Sequence, residues 1–144
     1  MMKNKWTSQF RLLEDWLLKK NYKVKCYTSA DDRLDFDSKT IHIDSRQHAE
    51  NRFYTLVHEC GHLLIANSST QFQKDHPVYA SSCDSRRVRS KAYQVSLVAE
   101  EIDAWKRGRR LASRLDLHID DEKFNKVMTD CVMTYIADAA VIAG

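Results

Sequence analysis

His58-Glu59-Cys60-Gly61-His62, set between Tyr54-Thr55-Leu56-Val57 and Leu63-Leu64-Ile65, is the stretch around which this chain is organised. The positions around the motif are uncharged, which suits a helix packed on several sides. Residues four apart on a helix lie roughly 40° from one another, so His58 and His62 share one face. Two imidazoles so placed can reach a single Zn²⁺, and Glu59, about 100° round from His58, can reach a water on that metal. Zinc brings the pKa of such a water towards about 7, and a carboxylate beside it can take the proton and pass it to a leaving amine. The bland alternative is a buried helix with two hydrogen-bonded histidines. Cys60 lies about 160° from His58 on the same wheel, with Phe53, Val57 and Leu64, and is expected in the core and not on the metal.

A catalytic zinc usually takes three protein ligands and a water. A histidine six residues after His62 is excluded, because Ser68 stands there. Glu101 is the leading candidate. It lies at the centre of a stripe of Leu97, Val98, Ala104, Trp105, Gly108, Ala112 and Leu115, where a carboxylate needs a strong partner. Glu100 points about 100° away, near the side of Arg107 and Arg114, and is expected at a solvated rim. His76 is the rival third ligand, with Glu100 behind it.

Tyr54–Leu64 resembles the active helix of the ImmA/IrrE-type zinc peptidases. Glu101-Ile102-Asp103-Ala104-Trp105 resembles their later segment, whose first glutamate is the third zinc ligand. The order of elements carries the resemblance over residues 5–115. It implies an α+β minimal zincin-like domain with one Zn²⁺ per chain on His58, His62 and Glu101, and with Glu59 as the catalytic base. It further implies a cytoplasmic peptidase whose protein substrate is a regulatory DNA-binding repressor. In zincins the strand before the active helix commonly runs along the cleft as an edge, so Thr40–Asp44 is expected to accept an extended substrate by strand addition. A weaker resemblance links the chain to SprT-like proteases, which act on DNA-bound proteins. They would use a histidine after the motif, where His76 stands, but their cysteine-based zinc ribbon has no counterpart here. A third reading keeps the fold and zinc to bind a partner without catalysis. Glu59 argues against it, being no ligand.

The 144 residues suit one domain, 1–144, able to bury roughly 68–70% of its unfolded surface. Hydrophobic residues make up 43% and charged residues 30%, ordinary for a soluble protein, and one Pro with three Gly favours helix. A net charge of +3 is too small to call for direct nucleic-acid binding. No apolar run approaches the roughly 18 residues of a membrane span. Cys26, Cys60, Cys83 and Cys131 form no C-x-x-C, and the polar start shows no signal peptide, so free thiols in a reducing compartment are expected.

Along the chain, Thr7–Lys20 reads as an amphipathic helix capped by Thr7 or Ser8, with Asn21 just past its end. Tyr22–Thr28 alternates as a strand, and Leu34–Phe36 with Ile41–Ile43 reads as a hairpin, giving a small antiparallel sheet. His42 is expected to face solvent. Gln47–Asn67 is helical. Ser68–Asp84 reads as a loop or lid, in which Tyr79 or His76 could hydrogen-bond the oxyanion of a tetrahedral intermediate. Ser85–Leu115 is a long helix whose Lys106, Arg107, Arg110 and Arg114 are expected on a solvated face. Arg86, Arg87, Arg89 and Lys91 form a second such cluster. Asp120–Ile142 closes the domain with an apolar stripe of Phe124, Val127, Met128, Cys131 and Tyr135.

Overall fold

The computed structural model describes residues 4–68, 70–71, 74 and 89–144. The expected roles of His76 and Tyr79, Cys83, the cluster at Arg86 and Arg87, and all of the lid but residues 68, 70–71 and 74 lie outside the described residues. Among the described residues, four long helices and a three-stranded sheet follow in the order α1 (Lys5–Leu18), β1 (Lys23–Tyr27), β2 (Arg33–Asp35), β3 (Thr40–Asp44), α2 (Ala49–Asn67), α3 (Lys91–Arg114) and α4 (Asp121–Ala143). The fold is α+β.

Local chemistry sets the helix ends. Asn4 caps α1, its side chain accepting from the Trp6 N–H at 2.8 Å, so the helix starts earlier than Thr7. Asn21 takes a left-handed φ of 66°, as the residue past α1 should, while the Tyr22 N–H closes back on the Leu17 carbonyl at 3.0 Å. Ser90 and Asp120 cap α3 and α4 through side-chain bonds to the N–H groups of Tyr93 and Lys123.

The sheet is mixed, not antiparallel. β2 and β3 form the expected hairpin, with Leu34 opposite Ile41. β1, however, lies on the far side of β3 and runs parallel to it, Val24 opposite Ile41 and Cys26 opposite Ile43. Alternation fixes a strand's faces but says nothing of its neighbour or direction. A second correction follows: β3 is the central strand, paired with β1 along its length and with β2 over residues 40–42, so it is not the open edge expected to take up a substrate strand. β2 is the edge strand on the side of the hairpin.

Ile41 and Ile43 are fully buried and point into one core with Leu13, Leu17, Phe53, Leu56, Trp105 and Phe124. α2 runs through the middle of it, and every residue from Phe53 to Gly61 is buried. Cys60 is completely enclosed, as its place on the wheel requires. Polar clamps tie the outer pieces to this centre. Gln9 of α1 donates to the His118 carbonyl at 3.0 Å and accepts from the His118 N–H at 2.5 Å, holding the turn between α3 and α4. Tyr54 of α2 donates to Glu50 at 2.6 Å and accepts from the Asp120 N–H at 3.0 Å, fixing the start of α4.

Two glycines set how closely α2 and α3 approach. A Cβ on Gly61 would lie 1.8 Å from the Ala104 carbonyl oxygen, and a Cβ on Gly108 would lie 2.2 Å from the Val57 carbonyl oxygen. Each helix thus presses its glycine against the other's backbone, which no rotamer change can relieve. Gly61→Ala and Gly108→Ala should each destabilise the protein by about 1–3 kcal/mol or more, even though alanine is the better helix former by about 1 kcal/mol. Urea unfolding checks this. Midpoints equal to the parent's would contradict the close crossing.

Candidate metal centre

The helix crossing brings the sequence's separate candidates together. His58, His62 and Glu101 each offer one donor atom, all within 4.8 Å of one another, and are the one such group of three among the described residues. His58 Nε2 lies 2.8 Å from Glu101 Oε2, His62 Nε2 lies 3.1 Å from Glu101 Oε1, and the two Nε2 atoms are 3.1 Å apart. Ligands about 2.0–2.1 Å from a tetrahedral zinc sit roughly 3.3 Å from each other, so this triangle is of the right size. The donor set, two imidazoles and a carboxylate, also suits zinc.

Surrounding groups hold the donors in orientation. Trp105 of α3 stacks flat on His58, with ring centroids 4.2 Å apart and planes 7° from parallel. Glu100 Oε1 stands 3.4 Å from His62 Nδ1. A carboxylate there favours the proton on Nδ1 and turns the Nε2 lone pair inward. The expectation of a solvated Glu100 is therefore corrected: the residue is half-buried against His62. A wheel drawn for α3 alone leaves out the neighbouring helix that fills the space beside it. Arg107 meets the expected Asp103 four residues earlier, at 2.9 Å, while Lys106, Arg110 and Arg114 are exposed.

Glu59 joins no donor pair of the triangle. Its carboxylate is 3.7 Å from His58 Nδ1, too long for a hydrogen bond, and is buried at the floor of a cleft. Burial pushes its pKa up, against the pull of His58 and His62. For His62, burial disfavours the charged ring, but the bonds to Glu100 and Glu101 outweigh it and raise the pKa to about 10. For Glu101, burial acts upward, and the bonds to His58 and His62 overcome it, bringing the carboxyl to about 2.

The cleft has a volume of about 400 Å³. α2 forms its floor with Thr55, His58, Glu59 and His62, and β2 with the residues around it forms one wall, from Asp32 to Phe36. Val127, Cys131 and Tyr135 of α4 form the other. Tyr135 is the residue that sequence reading misses. It belongs to the expected apolar stripe of α4, yet it borders the cleft, and burial followed by the Glu101 charge pushes its pKa up. The signal available was a tyrosine in a stripe otherwise without oxygen, since a buried phenol needs a partner. His42 stays away from the centre, with its Nδ1 2.9 Å from the Tyr27 hydroxyl.

No family model, no curated protein and no solved structure matches this chain. Among the described residues no helix is long and apolar enough to cross a membrane.

The paired charges predict how metal-free protein responds to pH. His62 is raised from 6.5, so its contribution is complete below about pH 6.5 and fades as pH climbs towards 10. Glu101 is lowered from 4.5, so its contribution is complete above about pH 4.5 and fades as pH falls towards 2. Chelator-treated protein should be most stable between about pH 4.5 and 6.5 from this pair, and His62→Gln should flatten the alkaline side of the profile. Thermal melts of both proteins from pH 4 to 9 check it. An unchanged alkaline slope in the variant would remove His62 as its source.

Proposed function

We propose that the chain is a zinc-dependent peptidase of the zincin type, with one Zn²⁺ per chain held by His58, His62 and Glu101. The observation that carries this reading is the donor triangle with an unligated, buried Glu59 beside it on the cleft floor. A site built only to hold metal has no use for that fourth group. When bound, the ion supplies Lewis acidity that activates water and polarises a substrate carbonyl.

The chain's own residues supply the rest. Glu59 takes a proton from the attacking water and returns it to the leaving amine, a role that its upward-shifted pKa supports. Glu100 and Trp105 keep the two imidazoles in place. Among the described residues Tyr135, which borders the cleft, would donate to the carbonyl oxygen as it gains negative charge, a role for which Tyr79 and His76 remain candidates. β2 borders the cleft and has one paired side, so it replaces β3 as the strand along which an extended peptide would pair.

The resemblance to ImmA/IrrE-type peptidases supports a cytoplasmic setting and a regulatory protein, such as a DNA-binding repressor, as substrate. The exposed arginines of α3 fit a solvated face and give no support to a nucleic-acid surface.

Purified protein should carry about one zinc per chain. Glu101→Ala should lose it, Glu100→Ala should keep it with weaker affinity, and Glu59→Gln should keep it fully. Against a co-expressed substrate Glu59→Gln should be slower by 10²–10⁴-fold, roughly 3–5 kcal/mol of barrier. Metal analysis and a cleavage assay read these directly. A zinc-loaded Glu59→Gln protein with full biological effect would end the peptidase reading in favour of a binding role.

A further inference from the structure

The cleft wall opposite α4 carries a carboxylate that the chemistry above does not use. Asp32 lies just before β2 and borders the cleft that holds His58 and Glu59. Neutral donors fix its position. The Asp44 N–H donates to Oδ1 at 2.8 Å, and Gln47 Nε2 stands 3.0 Å from both oxygens. Gln47 is fixed in turn, because Thr55 Oγ1 donates to its Oε1 at 3.0 Å. Thr55 is buried on α2, three residues before His58, so the carboxylate is anchored to the helix that carries the histidines.

The charge of Asp32 is not cancelled. Asp44, nearby, has its own guanidinium, with Arg46 Nε at 3.1 Å and Nη2 at 2.9 Å. The ion pairs of the described residues leave Asp32 without a Lys or Arg, and adjacent Arg33, which also borders the cleft, forms none with it. Amide donors orient a carboxylate without neutralising it. Beyond Asp32 the same wall turns apolar at Leu34 and Phe36, the latter 48% exposed. A long cationic side chain, apolar along its stem and charged at its head, matches that order of surfaces.

We propose that Asp32 is where this cleft recognises a cationic group of its substrate, an ammonium or guanidinium on a Lys or Arg side chain or at a free peptide N-terminus. The inference rests on the peptidase reading only in taking this cleft as the substrate's seat.

Binding of small probes to the zinc-loaded protein tests it, followed by intrinsic tryptophan fluorescence, since Trp105 borders the same cleft. One pair is N-acetyl-arginine amide and its neutral isostere N-acetyl-citrulline amide. The other is alanine amide, with a free ammonium, and N-acetyl-alanine amide. In at least one pair the cation should bind about fivefold tighter at low salt, and the preference should fade as salt rises. A response of the arginine pair alone assigns a side chain, and of the alanine pair alone an N-terminus. Asp32→Asn keeps the Oδ1 acceptor but removes the charge, and should abolish the preference. Asp32→Ser, which cannot set an amide against Gln47, serves as a second neutral variant. Equal binding within both pairs by the parent overturns the proposal, whatever the variants do. A preference that survives in either folded variant also overturns it, leaving Asp32 as a brace for Gln47. No turnover is read, so a protein that prefers the cation yet hydrolyses nothing would contradict the peptidase reading and leave this one standing.

Discussion

Backbone contact between α2 and α3 is the constraint on which everything else here depends. Gly61 sits on the Ala104 carbonyl and Gly108 on the Val57 carbonyl, so the two helices meet without side chains between them. Only at that distance can a glutamate on one helix reach two imidazoles on the other. His58 and His62 project from the turns flanking Gly61, and Glu101 lies one turn before Ala104. One side chain between the helices would separate the donors by more than a metal–ligand bond tolerates.

The same closeness creates an electrostatic difficulty. Glu59, Glu100 and Glu101 crowd around two histidines in a largely buried space, where unpaired charge is very costly. Without metal, His62 is held protonated between Glu100 and Glu101, and Glu59 is pushed towards its neutral form. A divalent cation held by His58, His62 and Glu101 would remove the conflict. The core around the site, with Trp105 against His58 and Phe124 against Trp105, keeps the donors from relaxing outward to solvent. Site chemistry and packing are thus one arrangement, centred on α2.

Much of this was legible in the sequence because it is helical. Four-residue spacing puts His58 and His62 together, and the apolar stripe of α3 marks Glu101 as a carboxylate facing inward. The same wheel puts Cys60 in the core, where it is fully enclosed. What the sequence hides is contact between elements. Alternation shows that β1 is a strand but cannot show that it pairs parallel to β3 across the sheet from β2. Glu100 looks solvated until α2 supplies His62 as its neighbour. Tyr135 looks like one more apolar member of a stripe until α4 docks over Glu101, and Asp32 looks like an ordinary turn residue until Gln47 and Thr55 bind it to α2. In each case the missing information is which surface faces the residue.

On the proposed reading, two helices in backbone contact build a nitrogen- and oxygen-lined zinc centre. X-ray absorption at the zinc edge of purified, metal-replete protein tests it most directly. The expected result is a first shell of nitrogen and oxygen alone, with two imidazoles and a carboxylate at about 2.0–2.1 Å and an open position for water. A sulfur at about 2.3 Å, from any cysteine of the chain, or a shell lacking the two-imidazole signature, would contradict it.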